Sequence, residues 1–206
     1  MVMCKGIFVS QGYVRNGARW MPRSIEPRPQ PFTAAGYLFA DGRLVHEVPF
    51  DPYLDFIFDG EELLYTARLF TRGWDPHTPG DNIIFHDYNR HNAPRYWATQ
   101  SRKAGGFESV VHLSHQRAQL ILKVVHKDPS SGRVVPLIDR ATVAERVTRM
   151  LDVYGLGQTR TLEMLYEMGD VNMPDRKAGE RYCDFLDAID RKAATSPVRS
   201  DALLSK

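Results

Sequence analysis

The chain has 206 residues, 27 basic against 25 acidic, for a formal net charge of +2. That near-neutral balance gives no electrostatic case for a nucleic-acid partner, which would want a concentrated basic patch. With 43% apolar residues, the composition suits a soluble globular protein of one domain, or one domain with a small appendage, long enough to bury a core.

No apolar run reaches the roughly 18 residues of a membrane-crossing helix, so no membrane partner is expected. The N-terminus, MVMCKGIFVSQGYVR, lacks a basic region followed by a long apolar core, and no signal peptide is read. Cys4 and Cys183 lie nearly the whole chain apart. They are read as free thiols, with one long-range disulfide as the disfavoured alternative, and free thiols fit a reducing, cytoplasmic location. The basic surplus of Arg15, Arg19, Arg23 and Arg28 is read as a solvated face.

In chain order, KGIFVS (5–10) predicts a short strand. The proline-rich run MPRSIEPRPQP (21–31) excludes helix or central strand. Asp41-Gly42, between apolar segments, predicts a tight hairpin. Residues 60–72 predict a helix: Asp59 is the expected N-cap, Glu62 its capping-box partner, Leu63, Ala67 and Phe70 the buried stripe, and Gly73 the C-terminal glycine. Asn82 to Phe85 predicts a short buried strand with His86 at its end. Beyond residue 100 the pattern is helical: His115 to Val125, then a DPSSG loop within 127–136. Ala141 to Tyr154 follows, with Thr142 and Glu145 as a capping box. Arg160 to Met168 and Lys177 to Ala193 complete the series, before a frayed tail.

The stretch FDGEELLYTARLFTRGWDPHTPGDNIIFHDYNR (58–90) carries the chemistry-bearing residues. Acids in a first helical turn complement the helix dipole, which is the plain reading of Glu61 and Glu62. The functional reading is that a glutamate there projects into a cleft and binds hydroxyls, with Asp59-Gly60 holding backbone close to a ligand. A buried strand ending in polar residues presents ligands at a sheet edge. His86 could then join a divalent cation beside phosphate oxygens, and Arg90 could meet a phosphate. Asp75-Pro76-His77 reads as a rigid turn, and His112 and His115 as partly exposed residues flanking a helix start.

The order of motifs from Pro31 to Arg90 resembles a known family. An A-A-G segment, V-P-F-D-P-Y-L, a G-E-E helix start, A-R-L-F-T-R-G-W-D and I-F-H before aromatics and Arg are similar to the second half of the catalytic domain of the polypeptide N-acetylglucosaminyltransferases that modify hydroxyproline. MCKGIF and YGLGQTRTLEMLYEMGDV (154–171) extend the likeness over most of residues 1–172. A looser likeness runs to the polypeptide N-acetylgalactosaminyltransferases. The resemblance implies a retaining GT-A type transferase, a UDP-sugar donor, a polypeptide acceptor and a divalent cation, Mn²⁺ or Mg²⁺. It maps the metal ligand to His86, catalytic acids to Glu61 and Glu62, and substrate contacts to Gly36, Asp59, Gly60 and Arg90.

The sequence departs from that family in having no Asp-x-Asp metal motif and no nucleotide-binding half. The expected fold is therefore α/β, a partial GT-A-like mixed sheet with packed helices, followed by a C-terminal helical extension. Its parts would be the C-terminal half of a GT-A-like domain over 1–100, the extension over 101–194 and a disordered tail over 195–206. An exposed apolar edge is expected near 5–10 and 82–86. Three functions stay open. The first is an N-acetylglucosaminyltransferase part that needs a donor-half partner chain or segment and is inactive alone. The second is a non-catalytic remnant binding a protein or glycan, and the last is a small metal hydrolase using His86, Asp87 and Asp59.

Overall fold

The computed structural model describes residues 1–22, 24, 26–81, 83–85, 94 and 107–195. The fold is α/β. Among the described residues the strands form four separate two-stranded antiparallel ladders, in place of the one mixed sheet expected. No helix among them is long and apolar enough to cross a membrane.

The first ladder pairs β1 (Val2–Phe8) with β2 (Val14–Arg19). Gly12, at φ +90°, closes the turn. The register slips between Met3 and Lys5, leaving Cys4 as the extra residue of a bulge. Bulges re-aim a side chain, and here the side chain forms a disulfide with Cys183. The two cysteines are thus not free thiols: the bulge brings together residues that sequence distance had seemed to separate.

Cys183 sits on α7 (Arg181–Thr195), and the early arginines hold that helix down. Arg19 forks to Glu180, Asp184 and Asp187, and half-buried Lys5 pairs with Glu180 at 2.8 Å. The buried Arg28 reaches Asp190 at 2.7 Å. Arg19 and Arg28 are therefore clamps for α7 and not the solvated face expected of them. Arg23 lies outside the described residues.

The main core runs through α2 (Glu61–Thr71), which buries Leu63, Leu64, Ala67 and Phe70 at the expected helical spacing. Tyr13, Phe32, Ala118, Leu122, Leu162 and Leu165 pack into the same cluster. Those partners come from the β1–β2 hairpin, from the loop at Phe32, from α3 (Phe107–Ile121) with the residue after it, and from α6 (Leu162–Met168), so α2 is the element on which the rest assembles. A helix leaves its last carbonyls without intrahelical donors, and the run after Tyr154 supplies them. Thr71 O accepts from Thr159 N at 2.9 Å, and the Arg160 guanidinium takes Phe70 O and Trp74 O. Gly157 is required at this approach, since a Cβ there would lie 2.4 Å from Thr71 O.

Several expected elements differ, each for a local reason. Around Asp41-Gly42 there is no hairpin. The Asp41 carboxylate accepts from Arg43 N, an Asx-type turn that starts α1 (Leu44–Glu47). Leu44 and Val48 then bury one helical turn apart against Leu69. The helix expected over 141–154 is two single turns, α4 (Glu145–Thr148) and α5 (Leu151–Tyr154), broken at Arg149 (extended) and Met150 (φ 50°). Arg117 on α3 takes Val147 O at 3.0 Å and Arg146 O at 3.4 Å, the carbonyls a continuing helix would need.

The 127–136 loop is held as a ladder of β5 (Val125–Lys127) and β6 (Val134–Pro136). Its turn is tied by the Asp128 carboxylate, whose bonds from Ser130 and Ser131 hold it below the usual carboxylate range. Lys177–Ala178 is a strand, β8, against β7 (Val171–Asn172), so α7 starts four residues later than expected. Residues 83–85 are neither strand nor buried: Ile83 and Ile84 are 53% exposed and Phe85 89%. An apolar triplet bounded by polar residues does not by itself say which way it faces. Apolar side chains are exposed here, as expected near 82–86, but residues 83–85 form no sheet edge.

Candidate functional site at the start of helix α2

Helix α2 begins differently from its sequence pattern. The N-cap is Gly60, at φ +98°, not Asp59, and no side chain caps the first turn. Asp59 is itself left-handed at φ 65°, a strained setting for a residue with a side chain. Two left-handed residues in a row turn the chain sharply into the helix and set the direction of Glu61.

Tyr13, fully buried just before β2 (Val14–Arg19), holds this corner. Its hydroxyl donates to Asp59 O at 3.1 Å and lies 2.6 Å from His115 Nδ1 on α3. Its ring fills the space beside Gly60, where an added Cβ would lie 2.3 Å from ring atom Cε2. Gly60→Ala should therefore cost about 2–3 kcal/mol, through the left-handed backbone and overpacking together. Chemical denaturation of the variant measures it, and a loss below about 0.5 kcal/mol would refute the close contact.

The two glutamates of the G-E-E start have separate work. Glu62 Oε1 accepts from Ala35 N at 2.7 Å, and its carbonyl takes the Thr66 hydroxyl. It therefore bonds the A-A-G segment and not its own helix start, so the capping box is absent. Gly36, next along, is exposed, and a Cβ added there would meet nothing within 4 Å. Glu61 is half-buried, with Oε2 buried and unpartnered among the described residues. Burial pushes its carboxyl above the usual carboxylate range, against a bond from its own N–H, and the charges of Glu62 and Asp59 add to the rise.

Burial favours the neutral form of both neighbours. Burial pushes the Tyr13 phenol up, with Glu61 and Asp59 adding. Burial pushes the His115 imidazole down, with His112 adding and Asp59 opposing. His115 stands inside α3, half-buried, and not beside a helix start as its sequence context implied, whereas His112 is exposed. Tyr13 and His115 escaped the sequence reading because they are 102 positions apart and neither sits in a motif.

His86, Asp87 and Arg90 lie outside the described residues. Among the described residues no three His, Cys, Asp or Glu side chains are placed to hold a metal ion. The described part of the site does not by itself fit a cation. At Asp75-Pro76-His77, Asp75 pairs with Arg160, and His77 Nδ1 lies 2.9 Å from Asp75 O, as a rigid turn would have it.

Exposed apolar side chains flank the corner. Phe56 and Phe58 precede Asp59, and Tyr37, Leu38 and Phe39 follow the Ala35 peptide that Glu62 holds. Comparison with curated proteins finds no match, and neither does comparison with solved structures. One family model does match, that described as glycosyltransferase (GlcNAc), over residues 1–174. That span takes in both halves of the site, the Tyr13 hairpin and the α2 start, together with α3 and the Gly157–Arg160 run that caps α2. The chain belongs to the GlcNAc glycosyltransferase family.

Proposed function

We propose that this chain forms the acceptor side of a transferase that moves N-acetylglucosamine from a UDP-sugar to a polypeptide hydroxyl, with Glu61 as the carboxylate that meets a substrate hydroxyl. The observation that carries this is the Glu61 side chain: half-buried, one oxygen unpartnered among the described residues, and held at a corner strained at Asp59. A buried acceptor atom left without a donor is costly, and a hydroxyl donating to it would remove that cost. A carboxyl whose proton affinity is raised toward neutrality is also suited to take a proton in the transition state.

The other roles follow from position. Glu62 fixes the Ala35 peptide, which leaves the exposed Gly36 backbone free to run beside a substrate. Gly60, having no Cβ, lets Tyr13 close the back of the corner. The hydroxyproline-directed branch, the GT-A architecture and the manganese or magnesium ion are proposed on the resemblance of the Pro31–Arg90 run, with His86 for the cation and Arg90 for phosphate. The nucleotide-binding half is proposed to come from a segment or chain outside these 206 residues. The apolar side chains exposed at Phe39 and Ile83–Phe85 support it, since patches of this kind mark interaction surfaces. The cytoplasmic location loses its free-thiol support. Thiol alkylation of the cellular protein, before and after reduction, reads whether the disulfide is formed where the protein works.

The test is sugar transfer from UDP-N-acetylglucosamine to a hydroxyproline peptide. The 206-residue chain alone should give none, and a donor half supplied in cis or in trans should restore it. In that active form Glu61→Gln should lower turnover about a hundredfold while the protein stays folded. The acid limb of the wild-type pH profile should lie above the ordinary carboxylate range, because Glu61 must lose its raised proton to work, and the limb should vanish in the variant. Wild-type turnover in folded Glu61→Gln would end the role given to Glu61, and no transfer even with the donor half supplied would leave a protein- or glycan-binding module.

A further inference from the structure

We propose that Tyr13 and His115 are positioning residues of this site: a two-bond relay from α3 through the Tyr13 hydroxyl to the Asp59 carbonyl that fixes the left-handed entry to α2 and thereby aims the Glu61 carboxylate. The inference rests on the reading of Glu61 above, but its first test does not involve transfer at all.

One arrangement of protons makes both contacts hydrogen bonds. A carbonyl oxygen can only accept, so the single Tyr13 O–H proton is spent on Asp59 O. The 2.6 Å contact to His115 Nδ1 must then run the other way, with the imidazole donating its Nδ1–H to the tyrosine oxygen. A neutral imidazole has one N–H, so in this arrangement Nε2 is the ring nitrogen without a proton.

The same tyrosine fixes the corner sterically. Its ring stands where a Cβ on Gly60 would be, and the ring is tilted 33° to His115 at 6.3 Å between centroids. Asp59 at φ 65° is a costly setting that persists only where the surroundings over-determine it, whereas Gly60 takes φ 98° without strain. Tyr13 and His115 are those surroundings. Among the described residues, the charged and titratable groups that face Glu61 are Asp59 and Glu62 along its own chain and Tyr13 behind it, and Asp59 also acts on His115, which His112 neighbours on α3. Because the relay keeps Asp59 and Gly60 in place, Glu61 keeps its buried, unpartnered setting.

The experiment is nuclear magnetic resonance on the full chain. Long-range proton–nitrogen spectra should show His115 of the wild type as the Nδ1–H tautomer. Tyr13→Phe keeps the ring and removes both bonds. It should leave the fold intact, release His115 from that tautomer, and move the Glu61 carboxyl titration down toward the ordinary range. His115→Asn, whose amide can donate from near the Nδ1 position, should retain the wild-type Glu61 titration, and His115→Leu should not. In the active form, Tyr13→Phe should lower turnover about tenfold with little change in KM.

An Nε2–H tautomer in the wild type would overturn the relay, as would an unmoved Glu61 titration in folded Tyr13→Phe. The two readings fail separately. Wild-type transfer in Glu61→Gln, with the tautomer and titration results as expected, removes the role of Glu61 in transfer and leaves the relay. Loss of transfer in Glu61→Gln with the wrong tautomer does the reverse.

Discussion

Opening the Cys4–Cys183 disulfide should cost the fold about 5 kcal/mol, near the top of the range for such bonds. The size comes from the loop. The cysteines are 179 positions apart, so the bond restricts almost the whole unfolded chain, and the entropy of closing a loop grows with its length. For a chain of this size, each kcal/mol moves the thermal midpoint by about 2–4 °C, which puts the drop at roughly 10–20 °C. Thermal unfolding with and without reductant measures it. The double variant Cys4→Ser/Cys183→Ser should match the reduced wild type. A drop under about 2 °C would mean that the ion pairs of Arg19 and Arg28 with α7 already do the fastening. Local release of α7 is distinguishable, because hydrogen exchange would then rise in 181–195 before the α2 core.

Helix α2 was the most legible element, because its signals are local. Leu63, Ala67 and Phe70 repeat at helical spacing, and Gly73 at φ 92° ends it. The start was misread because Asp59 has the chemistry of an N-cap, yet the Tyr13 hydroxyl, brought in from another element, holds its carbonyl and the turn is made by Gly60. The break at Arg149–Met150 has the same origin. Thr142 and Glu145 look like a helix start, but carbonyls of that helix are taken by Arg117, 29 and 30 positions away. A bond from a distant side chain leaves no periodicity in the segment it interrupts.

The candidate site was half legible for the same reason. Glu61, Glu62, Gly60 and Gly36 sit in motifs, so their types and order could be read. That Glu62 is engaged with Ala35 while Glu61 keeps an oxygen unpartnered among the described residues is a matter of where two short segments meet. The disulfide was beyond reach because two cysteines carry no spacing rule, and the bulge that turns Cys4 toward α7 is visible only in the register of β1 against β2.

Breaking the Asp51–Arg117 pair should cost about 3–5 kcal/mol, a large share of the roughly 5–15 kcal/mol that hold a domain together. Both side chains are fully buried and meet at 2.7 Å. Asp51 belongs to the V-P-F-D-P-Y-L run, and Arg117 ties that run to α3 and to the Val147 carbonyl of α4. A second buried arginine, Arg68, reaches the same run at Pro49 O. Burial pushes it down to about 10, with Asp51 opposing the fall, so one carboxylate serves two buried cations. Removing it by Asp51→Ala leaves both uncompensated, and denaturant unfolding should show the full loss. Replacing the pair by apolar residues, Asp51→Leu with Arg117→Met, removes the stranded charge of Arg117 and should recover part of that loss. Arg68 would still lack its carboxylate, so the recovery should be incomplete until Arg68→Met is added. A double variant no better than Asp51→Ala would show that the loss lies in the packing of the loop, and not in the charges it buries.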